Sequence, residues 1–174
     1  MTAPVRSLLF ATNLSAECVP ALEAAVSTAA QYRADLVLLH VVDREVPTEI
    51  EEHFKGVLGE EKWAALKQEH EQDARQALIG KMSPGQIGQK VLRQYCADAG
   101  IDAESCDFNW QEVVAADKNI AGAILGQAKK HGCDMIVLGA SRGFLGGNAV
   151  GSTIKGVLKK AQVPVLVVPS KSEG

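Results

Sequence analysis

The sequence has no long apolar run, no excess of basic charge and no closely spaced pair of cysteines. Of its 174 residues, 18 are Lys or Arg and 21 are Asp or Glu, which gives a formal net charge of −3. This balance argues against a nucleic-acid-binding protein that uses a broad basic face. No stretch approaches the roughly 18 apolar residues of a membrane-spanning helix, and the first residues do not have the layout of a signal peptide. We therefore expect neither nucleic acid nor membrane as a partner.

Cysteine usage points to a reducing compartment. The four cysteines are scattered and form no CxxC pair, at Cys18, Cys96, Cys106 and Cys133. A chain of this length with 47% hydrophobic residues can form a full core without disulfides. We expect one domain over residues 1–174, with reduced thiols, in the cytoplasm.

Two common nucleotide-binding motifs are also missing. A P-loop requires GxxxxGK[ST], but Gly146–Thr153 reads GGNAVGST, with Ser152 where the lysine should be. A GxGxxG fingerprint would follow the first strand, and no such pattern follows Ala11. The histidines have no metal-ligand spacing, and neither Ser141 nor Ser152 lies in a GxSxG context. The sequence therefore predicts no metal site and no catalytic residue.

What the sequence does contain is an alternation of short apolar segments with amphipathic helical patterns. Five buried strands are predicted at Val5–Ala11, Leu36–Val42, Phe108–Val114, Met135–Leu138 and Val163–Val168. Helical patterns lie between them, beginning near Val19, within residues 44–100, after Asp117 or Asn119, and at Ser152. Such an alternation is typical of an open α/β sheet.

Residues 44–100 are more than a plain connection between two strands. They carry most of the acid-rich helical sequence and contain no Ser/Gly linker. A long helix is predicted over Glu60–Lys81, with an apolar stripe at Trp63, Leu66, His70, Ala74, Ala77 and Leu78. We interpret the segment as a helical insertion within one domain. A lid over the strand ends is one hypothesis for its role.

The segment richest in chemistry is Gly139–Thr153, GASRGFLGGNAVGST, which leaves the fourth strand and enters a helix. Ligands of open α/β sheets bind at such strand ends, and glycines let several N–H groups point into one concavity. The helix begins at Gly151-Ser152-Thr153, where its N–H groups and dipole favour a phosphate. Arg142 could reach that phosphate, or could form a salt bridge or face solvent. The alternative for the whole segment is a flexible connection to a capped helix.

Four phrases of the sequence resemble the universal stress protein family: LLFATNLSAEC, ADLVLLHVVD, GCDMIVLGASRG and GSTIKGVLKKAQVPVLVV. The resemblance implies a five-stranded parallel sheet of order 3-2-1-4-5 with helices on both faces. It also implies a homodimer through Val163–Val168, since an exposed apolar edge strand invites pairing. Pro164 and Pro169 could instead protect this edge in a monomer.

The nucleotide-binding branch of that family carries a pattern close to Gly-x2-Gly-x9-Gly-Ser after strand four. Gly151-Ser152 matches its last pair, but position +3 from Gly139 is Arg142, and seven residues rather than nine separate Gly143 from Gly151. The family often has an aspartate where this chain has Asn13, which is equally explained as a turn residue. The nucleotide-binding residues that the resemblance implies are Ala11, Asn13, Val41, Gly139, Arg142, Gly143, Gly151, Ser152 and Thr153.

The resemblance implies a cytoplasmic stress-response protein that binds ATP or a related adenine nucleotide, with or without Mg²⁺. It would act as a sensor or adaptor toward an unknown protein partner. The alternative is a dimeric interaction protein of the same fold without nucleotide, which the irregular glycine loop and Asn13 favour. A slow ATP hydrolase or self-phosphorylating protein is a weaker alternative, because no general base or paired metal carboxylates are evident.

Overall fold

The computed structural model describes residues 4–43, 50–77, 84–140 and 151–171, in which strands and helices alternate. The strands are β1 (Ser7–Ala11), β2 (Asp35–Val42), β3 (Trp110–Ala116), β4 (Met135–Ala140) and β5 (Val165–Pro169). The α-helices of the described ranges are α1 (Val19–Tyr32), α2 (Ile50–Leu58), α3 (Glu60–Ala77), α4 (Pro84–Asp98), α5 (Ile120–Lys130) and α6 (Ser152–Lys160). Asn119 caps α5 by accepting a hydrogen bond from the Gly122 amide at 2.9 Å, as one of the two predicted caps.

The five strands form one sheet in the order β3-β2-β1-β4-β5. All neighbouring strands pair in parallel, and β1 lies at the centre. Within it, Leu9 is in register with Val37 of β2 on one side and with Ile136 of β4 on the other. The predicted fold class and strand order are confirmed.

The two faces of the sheet build two separate cores. Leu8 and Phe10 of β1 pack with α1 and α4 on one face, whereas Leu9 and Ala11 pack with α5 and α6 on the other. Successive side chains of a strand point to opposite faces, and here both faces are covered by helices. This double coverage explains why the strands read as continuous apolar runs rather than as an alternation.

The predicted limits of the outer strands were wrong by about two residues. The strand predicted over Val163–Val168 runs from Val165 to Pro169. The Ile136 amide donates to the carbonyl of Pro164 at 3.0 Å, so the proline precedes the strand, and pairing continues to the end of β4. β3 is likewise shifted to Trp110–Ala116, because its pairing with β2 continues to Val42. β3 and β5 form the two edges of the sheet.

The long segment between β2 and β3 forms two structural parts. α4 covers β3, where Leu92 and Cys96 join the core of that face. The Arg93 guanidinium pairs with the buried Glu112 carboxylate of β3 at 2.6 Å, which satisfies a charge that would be costly to bury alone. α4 thus takes the position of the helix that a parallel β2–β3 crossover requires.

α2 and α3 are additional to that crossover and form a smaller cluster. Its buried members are Val42, Phe54, Trp63 and Val91. Leu66 packs against it, so the first two residues of the predicted apolar stripe share one surface. The side chains of His70, Ala74 and Ala77, and all of Leu78, lie outside the described residues.

Two helical glycines give opposite expectations for the same substitution. A Cβ at Gly88 of α4 would overlap the Val114 side chain of β3, whereas one at Gly126 of α5 would meet nothing within 4 Å. Gly126→Ala should therefore raise the free energy of unfolding by up to about 1 kcal/mol, the helix preference for alanine. Gly88→Ala should lower it by about 1–3 kcal/mol through overpacking. Urea unfolding measures both, and equal stabilisation would contradict the packing of α4 on β3.

Candidate functional site

A cavity of about 290 Å³ lies at the carboxyl ends of β1 and β4. The chain leaves β1 toward α1 on one face, whereas α6, between β4 and β5, packs on the other face. This divergence opens a crevice at the switch point of an α/β sheet. The described residues that line the cavity are Ala11, Thr12, Asn13, Ser15, Glu17, Cys18, Val41, Ile120, Ile124, Leu138, Gly139, Gly151, Ser152, Thr153 and Ile154.

One part of the cavity wall is apolar and continues the core beneath it. Ile120 and Ile124 lie one helical turn apart on α5 and meet Val41, Leu138 and Ile154 in the core that α5 and α6 share. Apolar walls of this kind accommodate a flat ring and leave orientation to a few polar groups.

A second part of the wall is the beginning of α6. Gly151 is the N-cap residue, and no side chain of the described residues caps the helix there. The first bond within the helix runs from the Lys155 amide to the Gly151 carbonyl at 3.0 Å. The amides of the first turn therefore have no partner among the described residues, and such a helix start favours an anion through its N–H groups and its dipole.

The third part is the loop between β1 and α1, which internal hydrogen bonds hold in place. Thr12 Oγ1 accepts from the Leu14 amide at 2.9 Å. Asn13 Oδ1 accepts from the Ser15 amide at 3.0 Å and from the Cys18 thiol at 3.1 Å. Leu14 has a φ of 65°, which few non-glycine residues adopt. The loop is thus held in its conformation by its own side chains.

This arrangement decides what Asn13 can offer to a ligand. Its carboxamide oxygen must face the Ser15 amide, because a backbone N–H only donates. Its amide nitrogen, which makes no hydrogen bond within the described part of the chain, is left as the group that a ligand can use. Asn13 therefore supplies an uncharged donor where an aspartate would supply a negative charge.

His40 of β2 lies beneath the same loop and is only 3% exposed. Its Nδ1 is 2.8 Å from the Thr12 carbonyl oxygen, and its Nε2 is 2.9 Å from Nε2 of His53 on α2. Because a carbonyl oxygen only accepts, Nδ1 carries the proton. Burial and the nearby His53 lower the pKa of His40 to about 4, against the opposing effect of the bond to Thr12. His40 is therefore uncharged at neutral pH.

Comparison with known proteins identifies the family. A model of the universal stress protein family matches residues 4–169. The chain belongs to this family. A search of curated proteins found no match.

Solved universal stress proteins share the fold at low sequence identity. UspA from Lactobacillus plantarum is 24% identical with a TM-score of 0.55, covering 96% of this chain and 99% of that chain. A universal stress protein in complex with cAMP is 15% identical with a TM-score of 0.52, covering 97% and 100%. One from Archaeoglobus fulgidus in complex with dAMP is 16% identical with a TM-score of 0.53, covering 95% and 98%. This chain is therefore similar in fold to family members described with adenine nucleotides.

Most of the predicted site residues of this universal stress protein meet at the cavity. The seven that line it are Ala11, Asn13, Val41, Gly139, Gly151, Ser152 and Thr153. The other two, Arg142 and Gly143, lie outside the described residues. Gly139 also has a packing role, because a Cβ there would come within 3.0 Å of the Cys18 sulfur and 3.2 Å of its Cα. A side chain at position 139 would therefore push α1 away from β4.

Sequence reasoning missed two kinds of cavity residue. Thr12, Ser15, Glu17 and Cys18 adjoin Asn13 in the chain, and the strand-to-helix turn was a signal that could have identified them. The apolar residues of α5, α6 and β4 carry only core periodicity, which does not show that they reach a cavity.

The remaining side chains limit the chemistry of the site. Within residues 4–43, 50–77, 84–140 and 151–171, no three His, Cys, Asp or Glu side chains are grouped to hold a metal ion. Glu17 is the one carboxylate among the described cavity residues.

None of the helices in those ranges has the length and apolar character to span a membrane.

The lowered pKa of His40 predicts acid-sensitive stability. Between pH 6.5 and about 4, the unfolded chain binds a proton at this residue that the folded chain does not. The free energy of unfolding should therefore fall as the pH is lowered through this window, by up to about 3 kcal/mol from this residue at about 1.4 kcal/mol per pKa unit. Urea unfolding from pH 7 to 4 measures the slope. His40→Asn should have a shallower slope than the natural protein, and equal slopes would show that His40 is not buried in the neutral form.

Proposed function

We propose that this universal stress protein binds an adenine nucleotide in the cavity at the ends of β1 and β4. The observation that carries the proposal is that one cavity joins an apolar wall to the N-terminus of α6, whose first-turn amides have no partner among the described residues. The ring of a base suits the side chains of α5 and β4, and a phosphate suits the first-turn amides of α6. The family members solved with cAMP and dAMP support this class of ligand.

ATP is the form of the ligand that we propose, with or without Mg²⁺. Arg142, Gly143 and further glycines lie in the chain between β4 and Gly151, so the segment that joins two cavity walls contains a cation and several glycines. Such a segment suits a longer phosphate chain than that of a monophosphate.

The role that fits this site is that of a cytoplasmic sensor or adaptor rather than an enzyme. Glu17 alone supplies a carboxylate among the described cavity residues, whereas metal-assisted phosphoryl transfer uses several metal ligands. Binding would change a surface that an unknown protein partner recognises. Hydrolysis of ATP or self-phosphorylation is therefore not part of this proposal.

Substitution of Gly151 tests the phosphate site. Its φ of −51° suits any residue, and a Cβ there meets nothing within 4 Å, so Gly151→Val should fold normally while its methyl groups obstruct the amides of α6. We expect loss of ATP binding in calorimetric titration with Mg²⁺. Ser152→Ala should cost only about 0.5–1.5 kcal/mol, one neutral hydrogen bond. Gly126→Ala, on the open side of α5, is the control that should bind normally.

Unchanged affinity in a folded Gly151→Val protein would place the nucleotide elsewhere. A natural protein that binds no added ATP, and that releases no adenine nucleotide on acid denaturation after purification, would instead favour the dimeric interaction protein without nucleotide.

We also propose a homodimer formed by antiparallel pairing of two β5 edges. β5 is an edge strand of the sheet, and Leu166, its second residue, is 39% exposed. Val165 and Val167 point the other way and pack against the core beneath α5 and α6. An apolar edge strand with an exposed leucine is suited to pairing with a second copy.

A charge at Leu166 tests this dimer. Light scattering at micromolar concentration should give twice the chain mass of 18.5 kDa, and Leu166→Lys should shift the protein toward monomer. Leu166 is preferable to Val165 or Val167, where a lysine would also damage the monomer core. Val57→Lys changes a residue of α2 that is 43% exposed and should remain dimeric. A monomeric natural protein over a wide concentration range would disprove the dimer.

A further inference from the structure

We propose that His40 is a positioning residue for the cavity, and that its hydrogen bond to His53 couples α2 to the loop Thr12–Ser15. The affinity measurement below rests on the proposed nucleotide binding, whereas the hydrogen-exchange measurement does not. Neither residue lines the cavity, so both would act through Thr12.

The coupling follows hydrogen bonds that are connected through the chain at Thr12 and Asn13. His53 on α2 contacts His40 through the two Nε2 atoms at 2.9 Å, and His40 Nδ1 contacts the Thr12 carbonyl at 2.8 Å. Thr12 in turn holds the Leu14 amide through its hydroxyl, and the Asn13 side chain holds the Ser15 amide. A displacement of α2 therefore changes the support of a loop that lines the cavity.

The positions of the protons decide which histidine donates in the bond between His40 and His53. Thr12 offers an oxygen that only accepts, so His40 donates from Nδ1, and in the neutral ring its Nε2 must accept. His53 is then the donor at Nε2. A proton on His40 Nε2 places two N–H groups against each other and breaks this bond.

Ring contacts with Phe54 fix the relative positions of the two histidines. Phe54, fully buried on α2, lies with its ring centroid 5.5 Å from those of both His40 and His53. Because Phe54 fixes where α2 meets β2, the two histidines cannot slide past one another without disturbing the cluster. α2 and His40 are thus expected to move together.

The described elements packed against the pair contribute the following groups. From α4, the Tyr95 hydroxyl donates to the Ser15 carbonyl at 3.0 Å, and burial raises the pKa of Tyr95 to about 12, so it stays neutral. From the loop after β1, the group facing His40 is the Thr12 carbonyl. The acidic residues nearest in the chain are Asp43 at the end of β2 and Glu52 beside His53. Loss of the pair at low pH is therefore expected to follow protonation of His40.

Three variants of α2 separate coupling from general damage. His53→Leu removes the donor and keeps an apolar side chain beside Phe54. His53→Gln keeps an amide donor for His40, and the same amide can turn to accept from a protonated His40. Glu52→Gln, at an exposed neighbouring position, is the matched control.

The first measurement is hydrogen exchange of the Leu14 and Ser15 amides without ligand. We expect exchange about fivefold faster in His53→Leu, the factor that one buried hydrogen bond typically contributes. His53→Gln and Glu52→Gln should match the natural protein. Equal exchange in all four folded proteins would overturn the coupling, whether or not a nucleotide binds.

The second measurement is ATP affinity from pH 8 to 4, where His40 becomes protonated. His53→Leu should bind about fivefold more weakly than the natural protein at pH 8, since coupling acts in both directions. The natural protein should lose affinity toward pH 4 more steeply than His53→Gln, whose amide rescues the bond. Parallel pH profiles for these two would overturn the proposal, and they remain informative if His53→Leu does not fold. Absence of ATP binding in every protein, with altered exchange in His53→Leu, would contradict the proposed nucleotide and leave the coupling intact.

Discussion

β1 pairs in parallel with β2 on one side and with β4 on the other, and its two sets of side chains anchor the cores on both faces. The helix that follows β1 and the helix that follows β4 pack on opposite faces of the sheet, so these two elements diverge at the strand ends. The cavity follows from this constraint alone. The loop after β1 and the start of α6 then line the cavity.

The loop Thr12–Ser15 illustrates how such a cavity is made rigid. Its side chains satisfy its own amides, and the left-handed conformation of Leu14 carries a cost that surrounding contacts must offset. Tyr95 from α4 and His40 from β2 supply those contacts. A loop that is already ordered loses less conformational entropy when a ligand binds.

The helices between β2 and β3 differ in what they contribute. α4 covers the face of β3 and is fastened by the pair of Arg93 with the buried Glu112. α2 and α3 bring Phe54 and Trp63 against the end of β2, close to the loop that lines the cavity. α2 and α3 therefore lie where they can influence the cavity, although none of the described residues that line it belongs to either helix.

Local signals in the sequence were enough to determine the alternation of strands and helices. Strands buried on both faces leave uninterrupted apolar runs, as in residues 36–42, and Asn119 marks the start of α5 through its own side chain. Asn13, Val41 and Gly151 were predicted at the site from strand ends and a family resemblance, and they line the cavity. Strand limits were less accurate, because the partner strand decides where pairing stops.

Only the tertiary structure decided which distant residues support the cavity. His40 and His53 are 13 residues apart in a strand and a helix, and Tyr95 is 80 residues from Ser15. No periodicity relates such positions, since their meeting depends on how α2 and α4 pack on the sheet. The sequence by itself determined the elements and the end of the sheet at which the cavity lies. The packing of the helices between β2 and β3 decided which buried groups hold that end in place.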